Sequence, residues 1–163
     1  MNQIPLINEK LFKLHSPVTS NTDITEFVPY IYIAQELHIA EILGLQLTEE
    51  LSEEIDNNNL SPENSELILR IAPALSFYTV YQALPFHWAT IVNKGITIRE
   101  SENSKGVDIK DLAQLRQWIK NDAEILRNQL IAFLEANRDK YPLWTYNDKC
   151  GKEEKFDSGF FFK

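Results

Sequence analysis

Two long helical patterns dominate this chain, and the break between them is too long for an ordinary inter-helix turn. The first begins at Ser61-Pro62-Glu63 and continues through Leu67, Ile71, Leu75, Tyr78 and Ala83. The second runs from Asp108 to about Tyr141, with Ile109, Leu112, Leu115, Ile119, Ala123, Leu126, Leu130 and Phe133 at three-to-four spacing. Compact helical domains join their helices with about 2–8 residues. The stretch from Pro85 to Asp108 is far longer and has internal structure signals. Asn93-Lys94-Gly95 is turn chemistry, Ile96-Thr97-Ile98-Arg99 alternates like a strand, and Arg99 to Lys105 is polar. The expectation is therefore an arm inserted into a helical bundle, one that reaches a neighbour rather than closing its own core.

The helix ends carry their own signals. Ser61 is an N-cap, Pro62 takes the first helical position, and Glu63 suits the positive end of the helix dipole. Pro73 should kink that helix, and Pro85 should end or bend it. Asp108 is the N-cap of the last helix, with Asp111 three residues on as a variant capping box. An earlier long helix is expected from Asp23 to about Leu43, closed by Gly44 as a left-handed cap. It carries two apolar stripes, one of Ile24, Phe27, Val28, Ile31, Ala34 and Ile42, the other of Tyr30, Ile33, Leu37 and Ala40. A helix apolar on two sides is central to its own core, the preferred reading, or packed against another subunit. A short helix is expected from Thr48, its N-cap, to about Asp56, with Leu47, Leu51 and Ile55 inward. Residues 1–23 read as extended or irregular, with Ile4, Leu6 and Ile7 as a short strand and Leu11, Phe12 and Leu14 as a helical turn. Pro142 should stop the last helix, and the remainder reads as a tail with Leu143, Trp144 and Tyr146 as apolar anchors.

Composition narrows the function. The 163 residues suit one domain with a real core, and five glycines are too few for a turn-rich β-sandwich. The formal net charge of −8 argues against gripping DNA, which requires lysines and arginines to displace phosphate counterions. A single cysteine, Cys150, permits neither an internal disulfide nor a cysteine-based zinc site. The N-terminus is not read as a signal peptide, and no run is read as a bilayer span.

Catalytic chemistry is not evident. There is no phosphate-binding loop, no Gly-x-Gly-x-x-Gly and no His-Glu-x-x-His. His38 and Glu41, three apart on one helix, would form half a metal site, but no spacing supplies further ligands, and a packed, hydrogen-bonded histidine is preferred. His87 beside Trp88 lacks a nucleophile or carboxylate partner, so packing is again preferred. Cys150 lies near Lys149 and Lys152, which would favour the thiolate, yet no oriented base is evident. The acidic run Glu49, Glu50, Glu53, Glu54 is either a solvated helix face or a negative wall facing a DNA channel. Phe160-Phe161-Phe162 either folds back onto its own domain or docks on a partner.

One family resemblance rests on specific residues. Tyr30 to Gly44, reading Tyr-Ile-Tyr-Ile-Ala-Gln-Glu-Leu-His-Ile-Ala-Glu-Ile-Leu-Gly, leads into Leu47-Thr48-Glu49-Glu50-Leu51 and resembles the opening of small phage head–tail connector (adaptor) proteins. Related ring proteins occur in crAss-like and other Bacteroidales phages. Ala72 to Pro85 resembles their third helix, Thr90 to Ile96 the entry to their inserted loop, and Tyr141-Pro142-x-Trp144 their exit. The resemblance covers roughly residues 24–146. It implies a non-enzymatic virion protein at the head–tail junction, made in the cytoplasm of the host bacterium. It implies a homo-oligomeric ring, commonly a dodecamer, that binds the portal and other tail or ring proteins. DNA would pass through its channel without sequence-specific binding, and neither cofactor, metal nor membrane is implied.

Together these readings give a mainly α fold. It is a small helical bundle of three long helices and one short, with an inserted β-hairpin-like arm and an extended C-terminal tail. Residues 1–146 form the helical connector domain, with the arm at 86–107, and residues 147–163 form a docking tail. The expected inter-subunit arm residues are Ile91, Asn93, Gly95, Ile96, Ile98 and Arg99. The expected docking residues are Trp144, Tyr146, Phe156, Phe160, Phe161 and Phe162, and the expected lumen-facing acids are Glu49, Glu50, Glu53 and Glu54. The alternative function is an acidic stand-alone protein-binding module, an inhibitor or regulator with no virion role.

Overall fold

A computed structural model describes residues 4–19, 21–92, 95–98 and 108–145. The protein is mainly helical. The longest helices are α5, Pro62–Trp88, and α6, Ile109–Ala136. Before them come α1 (Glu9–His15), α2 (Val28–Ala34), α3 (Ala40–Leu43) and α4 (Leu45–Asp56). Between α5 and α6, β1 (Ala89–Val92) pairs antiparallel with β2 (Gly95–Ile98), Ile91 opposite Ile96 and Val92 opposite Gly95.

Helix α5 is the centre. It packs against α6, α2 and α1, and Leu67, Ile71, Ala72, Ala74, Leu75 and Ala83 are fully buried. Its start is as the sequence indicates. The Ser61 hydroxyl accepts the Asn64 N–H at 3.2 Å, and Pro62 follows where no intrahelical donor is needed. Pro73 and Pro85 both lie inside the helix, which continues past Pro85 to Trp88. The stretch Ile71 to Trp88 holds no Asp, Glu, Lys or Arg, so α5 is long and apolar enough to cross a membrane by length and composition. The sequence-based ground for expecting no span is therefore withdrawn. The central helix of a globular core has the same composition for a different reason, being apolar on every face because neighbours surround it.

The helix expected from Asp23 to Leu43 is interrupted. It opens as a 3₁₀ turn, Ile24–Glu26, with the Asp23 carboxylate accepting the Thr25 N–H at 2.9 Å. That hydrogen bond holds the Asp23 carboxyl below the usual carboxylate range. After α2 comes a π turn, Gln35–Ile39, whose widened bonding ends with the Ala40 N–H on the Gln35 carbonyl. This wide turn advances the buried face. Phe27, Ile31, Ala34, Gln35, Ile39, Ile42 and Leu43 are buried, while Ile33 and Leu37 of the second expected stripe are exposed.

Buried Gln35 has a structural task. Its Oε1 accepts the Leu6 N–H at 2.9 Å, and its Nε2 donates to the Ile4 carbonyl at 3.1 Å. The side-chain amide thus does for the N-terminal segment what a neighbouring strand would do. Residues 4–7 were expected as a strand and are instead fixed singly by this amide, with Leu6 and Ile7 in the core. The expected single turn at Leu11–Leu14 is the two-turn α1, capped by Asn8.

Two further boundaries move, the first at Gly44. Its φ of 78° is positive, as expected, but its ψ is 162°, outside the left-handed helical region. That conformation ends α3 and opens α4 within one residue, so α4 starts at Leu45 rather than after Thr48. Thr48 is then inside the first turn, and its hydroxyl donates back to the Gly44 carbonyl at 2.8 Å. Helix α6 ends at Ala136, earlier than Tyr141, because Asn137 leaves helical geometry at φ −123°, ψ 29°. A turn through residues 137–140 then delivers Tyr141 and Trp144 to the core. Of the residues at three-to-four spacing on α6, Ile109 and Leu115 are exposed.

Gly44→Ala tests this geometry. An added Cβ would lie 2.9 Å from the Thr145 hydroxyl oxygen, at a backbone conformation that is nearly glycine-only. The expected loss is about 1–3 kcal/mol in urea unfolding. An unchanged midpoint would mean that the turn relaxes freely.

Candidate interaction surfaces

Four surfaces bear on function: the root of the β pair, the acidic side of α4, the exit after α6, and the outer side of α6. The root of the β pair is an aromatic stack. His87 lies on Phe27 with ring centroids 4.6 Å apart, and Phe86 lies on Tyr30 at 5.8 Å. His87 Nδ1 is 3.7 Å from the Glu26 carboxylate. These contacts join the end of α5 to the start of α2, so the direction in which β1 leaves the bundle is set by packing. Of the expected arm residues, Ile91, Gly95, Ile96 and Ile98 lie on the paired strands. Asn93 and Arg99 lie outside the described residues.

The acidic run on α4 divides. Glu54 Oε2 accepts the Ser61 N–H at 2.9 Å and the Ser61 hydroxyl at 3.2 Å, closing the turn between α4 and α5. The backbone hydrogen bond from Ser61 leads the causes that hold the Glu54 carboxyl below its ordinary value. Glu54 is therefore a structural cap and not part of a free acidic wall. Glu50 is half-buried, and Glu49 and Glu53 are exposed. The last two line a half-open groove of about 370 Å³ with Glu36, Asp56, Ile4 and Leu45. The sequence reading missed this groove, because Glu36 and Ile4 reach α4 only through the π turn and the Gln35 bonds. The exposed Leu45, beside four acids on one helix, was the available signal.

The exit after α6 corrects one expected docking residue. Trp144 is buried in its own domain, and its indole N–H donates to the Ile42 carbonyl at 2.8 Å. Arg138 covers the ring at 4.8 Å. An aromatic that large with a polar handle is most stable where both needs are met, and this core meets both. Tyr141 acts likewise, its hydroxyl donating to the Glu63 carbonyl at 2.8 Å. Tyr146, Phe156, Phe160, Phe161 and Phe162 lie outside the described residues, as does Cys150.

The outer side of α6 was not anticipated. Leu115, Trp118 and Ile125 are all exposed, three and seven residues apart on one side of the helix. Leu115 was read only as part of the three-to-four spacing of the helix, and Trp118 and Ile125, seven residues apart, lay outside that set.

His38 packs, as preferred. Its ring stacks on Tyr78 at 3.9 Å, and its Nε2 is 3.0 Å from Gln82 Nε2. Among the described residues no cluster of His, Cys, Asp or Glu is arranged to hold a metal ion. Burial leads the causes that place the His38 pKa below 6.5; Glu41 opposes it, and Arg127 and Lys120 add to it.

A mainly helical domain built on one central helix, with its polar clusters used for capping and contact, is the class these features define. The sequence profile of a family of unknown function, DUF6712, matches residues 39–154, and the chain belongs to that family. No curated protein and no solved structure matches the chain.

Two measurements check this geometry. Trp144→Phe removes the indole donor and should cost about 1–2 kcal/mol, and Trp144→Ala about 3–5 kcal/mol, in urea unfolding. Stabilities unchanged by both would place Trp144 outside the core. For His38 the folded-state pKa is the lower one, so the unfolded chain binds the proton more readily. Its stabilising contribution is complete above about pH 6.5 and falls as pH drops toward the folded-state value. His38→Gln should flatten the slope of stability as pH falls below about 6.5; an identical slope in the variant would assign the pH dependence elsewhere.

Proposed function

We propose that the chain is a non-enzymatic structural subunit of a phage head–tail connector ring. In this reading copies join side by side, bind the portal or the next tail component, and extend the DNA channel. The observation that carries the reading is the β1–β2 pair between the two longest helices. Its main neighbours are α5 and its own partner strand, and a short pair outside a bundle presents strand edges that a second chain can extend. The aromatic root gives such an arm a fixed direction, so that identical subunits would present it identically.

A ring also needs two different patches per subunit, because each copy contacts the next head-to-tail. The exposed Ile33 and Leu37 on one side, and Leu115, Trp118 and Ile125 on α6, are candidates for these patches. The resemblance of Tyr30 to Leu51 to connector proteins points the same way. In the virion the protein would sit at the head–tail junction, and its negative charge would let DNA slide past rather than bind. The acidic groove on α4 favours a second reading, an acidic module that binds one basic protein outside any virion.

Deleting residues 94–105 should abolish ring assembly while leaving the helical circular dichroism signal intact. Trp118→Asp, at an exposed position, should likewise lower the assembled fraction without unfolding the monomer. Native mass spectrometry with and without portal protein reads both. Normal rings from both variants would remove the arm and α6 as assembly elements, and a one-to-one complex with an unrelated protein would favour the acidic module.

A further inference from the structure

The groove between the N-terminal segment, the π turn and α4 has an apolar floor and an acidic rim. Leu45, 70% exposed, and the half-buried Ile4 supply the apolar part. Glu36, Glu49, Glu53 and Asp56 supply the charge, with the Thr48 and Ser52 side chains between them. No lysine or arginine lines the groove. Among the described residues these four carboxylates enter none of the ion pairs found. Like charges held on one helix at three- and four-residue spacing are mildly destabilising on their own, so a cationic occupant would relieve them.

The occupant's chemistry follows by elimination. A single metal ion is disfavoured, because the carboxylates do not converge into a metal cluster. Nucleic acid is disfavoured by charge, since phosphates would meet four carboxylates and no lysine or arginine. A second copy is the weaker fit, because the patches assigned above to ring contacts, Ile33, Leu37 and the outer side of α6, do not line the groove. What fits is a segment with spaced cations and an apolar residue between them.

We propose, deepening the acidic-groove reading above, that this groove docks a cationic segment of a different protein. One apolar side chain of that segment seats against Leu45 and Ile4, and flanking lysines or arginines pair with Glu36, Glu49, Glu53 and Asp56. The site does not depend on ring formation, so a monomer that never assembles would still bind.

The test uses the full chain and a short fluorescein-labelled peptide alternating lysine with leucine. Controls are the same peptide with every lysine changed to glutamine, and one with every leucine changed to serine. The alternating peptide should bind tighter than either control by fluorescence anisotropy. Glu49→Gln/Glu53→Gln should weaken it about tenfold, equivalent to about 1.4 kcal/mol from two partly exposed ion pairs. Glu135→Gln/Asp139→Asn, the same charge change at exposed sites away from the groove, should leave it within about twofold. Leu45→Ser should weaken the alternating peptide and not the leucine-free one. Equal weakening by both acid pairs would reduce the effect to net charge and overturn the proposal. Equal binding of the lysine and glutamine peptides would also overturn it. So would a peptide of residues 146–163 that displaces the probe, which would assign the groove to the chain's own tail. Self-association of the protein that Glu49→Gln/Glu53→Gln abolishes would assign it to a second copy.

Discussion

The hydrogen bond from the Trp144 indole to the Ile42 carbonyl ties the end of the described chain to its first half, across 102 positions. Ile42 lies in the last turn of α3, where helix carbonyls lack intrahelical partners. Trp144 answers one of them and fills the space beside it. The Tyr141 hydroxyl donates to the Glu63 carbonyl at the start of α5, a helix carbonyl that here takes a second donor. Both bonds use the polar tip of a large ring, so each contributes burial and a satisfied side-chain donor together. Without this exit segment α6 would be held by its own face alone, and the junction at Gly44 would lose its nearest neighbour, Thr145.

Polar side chains repeatedly do structural work where the chain turns. Gln35 holds the N-terminal segment, Glu54 closes the turn before α5, Thr48 returns its hydroxyl to Gly44, and the Arg116 guanidinium covers the Tyr81 ring at 4.0 Å while donating to its carbonyl. Each such group would cost about 1–3 kcal/mol if buried without a partner. The acidic composition is thus divided between joints and open surface, and only the open part is available to a partner.

Local signals carried much of the fold. The cap at Ser61-Pro62, the spacing of α5, the start of α6 after Asp108 and the positive φ at Gly44 all depend on neighbouring residues, and all were legible. What was hidden depends on distant partners. Nothing near Trp144 says that its indole will find Ile42, and nothing near Glu54 marks it as a cap for Ser61. The two stripes of the first helix were misread because a regular period was assumed through Gln35–Ile39. The candidate surfaces divide in the same way. The aromatic root at Phe86 and His87 was visible from its position before the break. The groove was not, since its walls come from three separate segments.

The π turn has one more effect, on tolerance to length change. Its wide bonding is equivalent to one residue more than a regular helix needs, and each residue of α-helix rotates the following side chains by about 100°. Removing a single residue between Gln35 and Ile39 would let the helix run regularly. Because the wide turn takes up that residue with almost no added rotation, Ile42, Leu43 and the Gly44 corner would keep their azimuth toward Trp144. A one-codon deletion there would cost local contacts such as those of Gln35 and His38, whereas the same deletion within α2, which has no residue to spare, would turn the Gly44 corner away from Trp144 by about 100°.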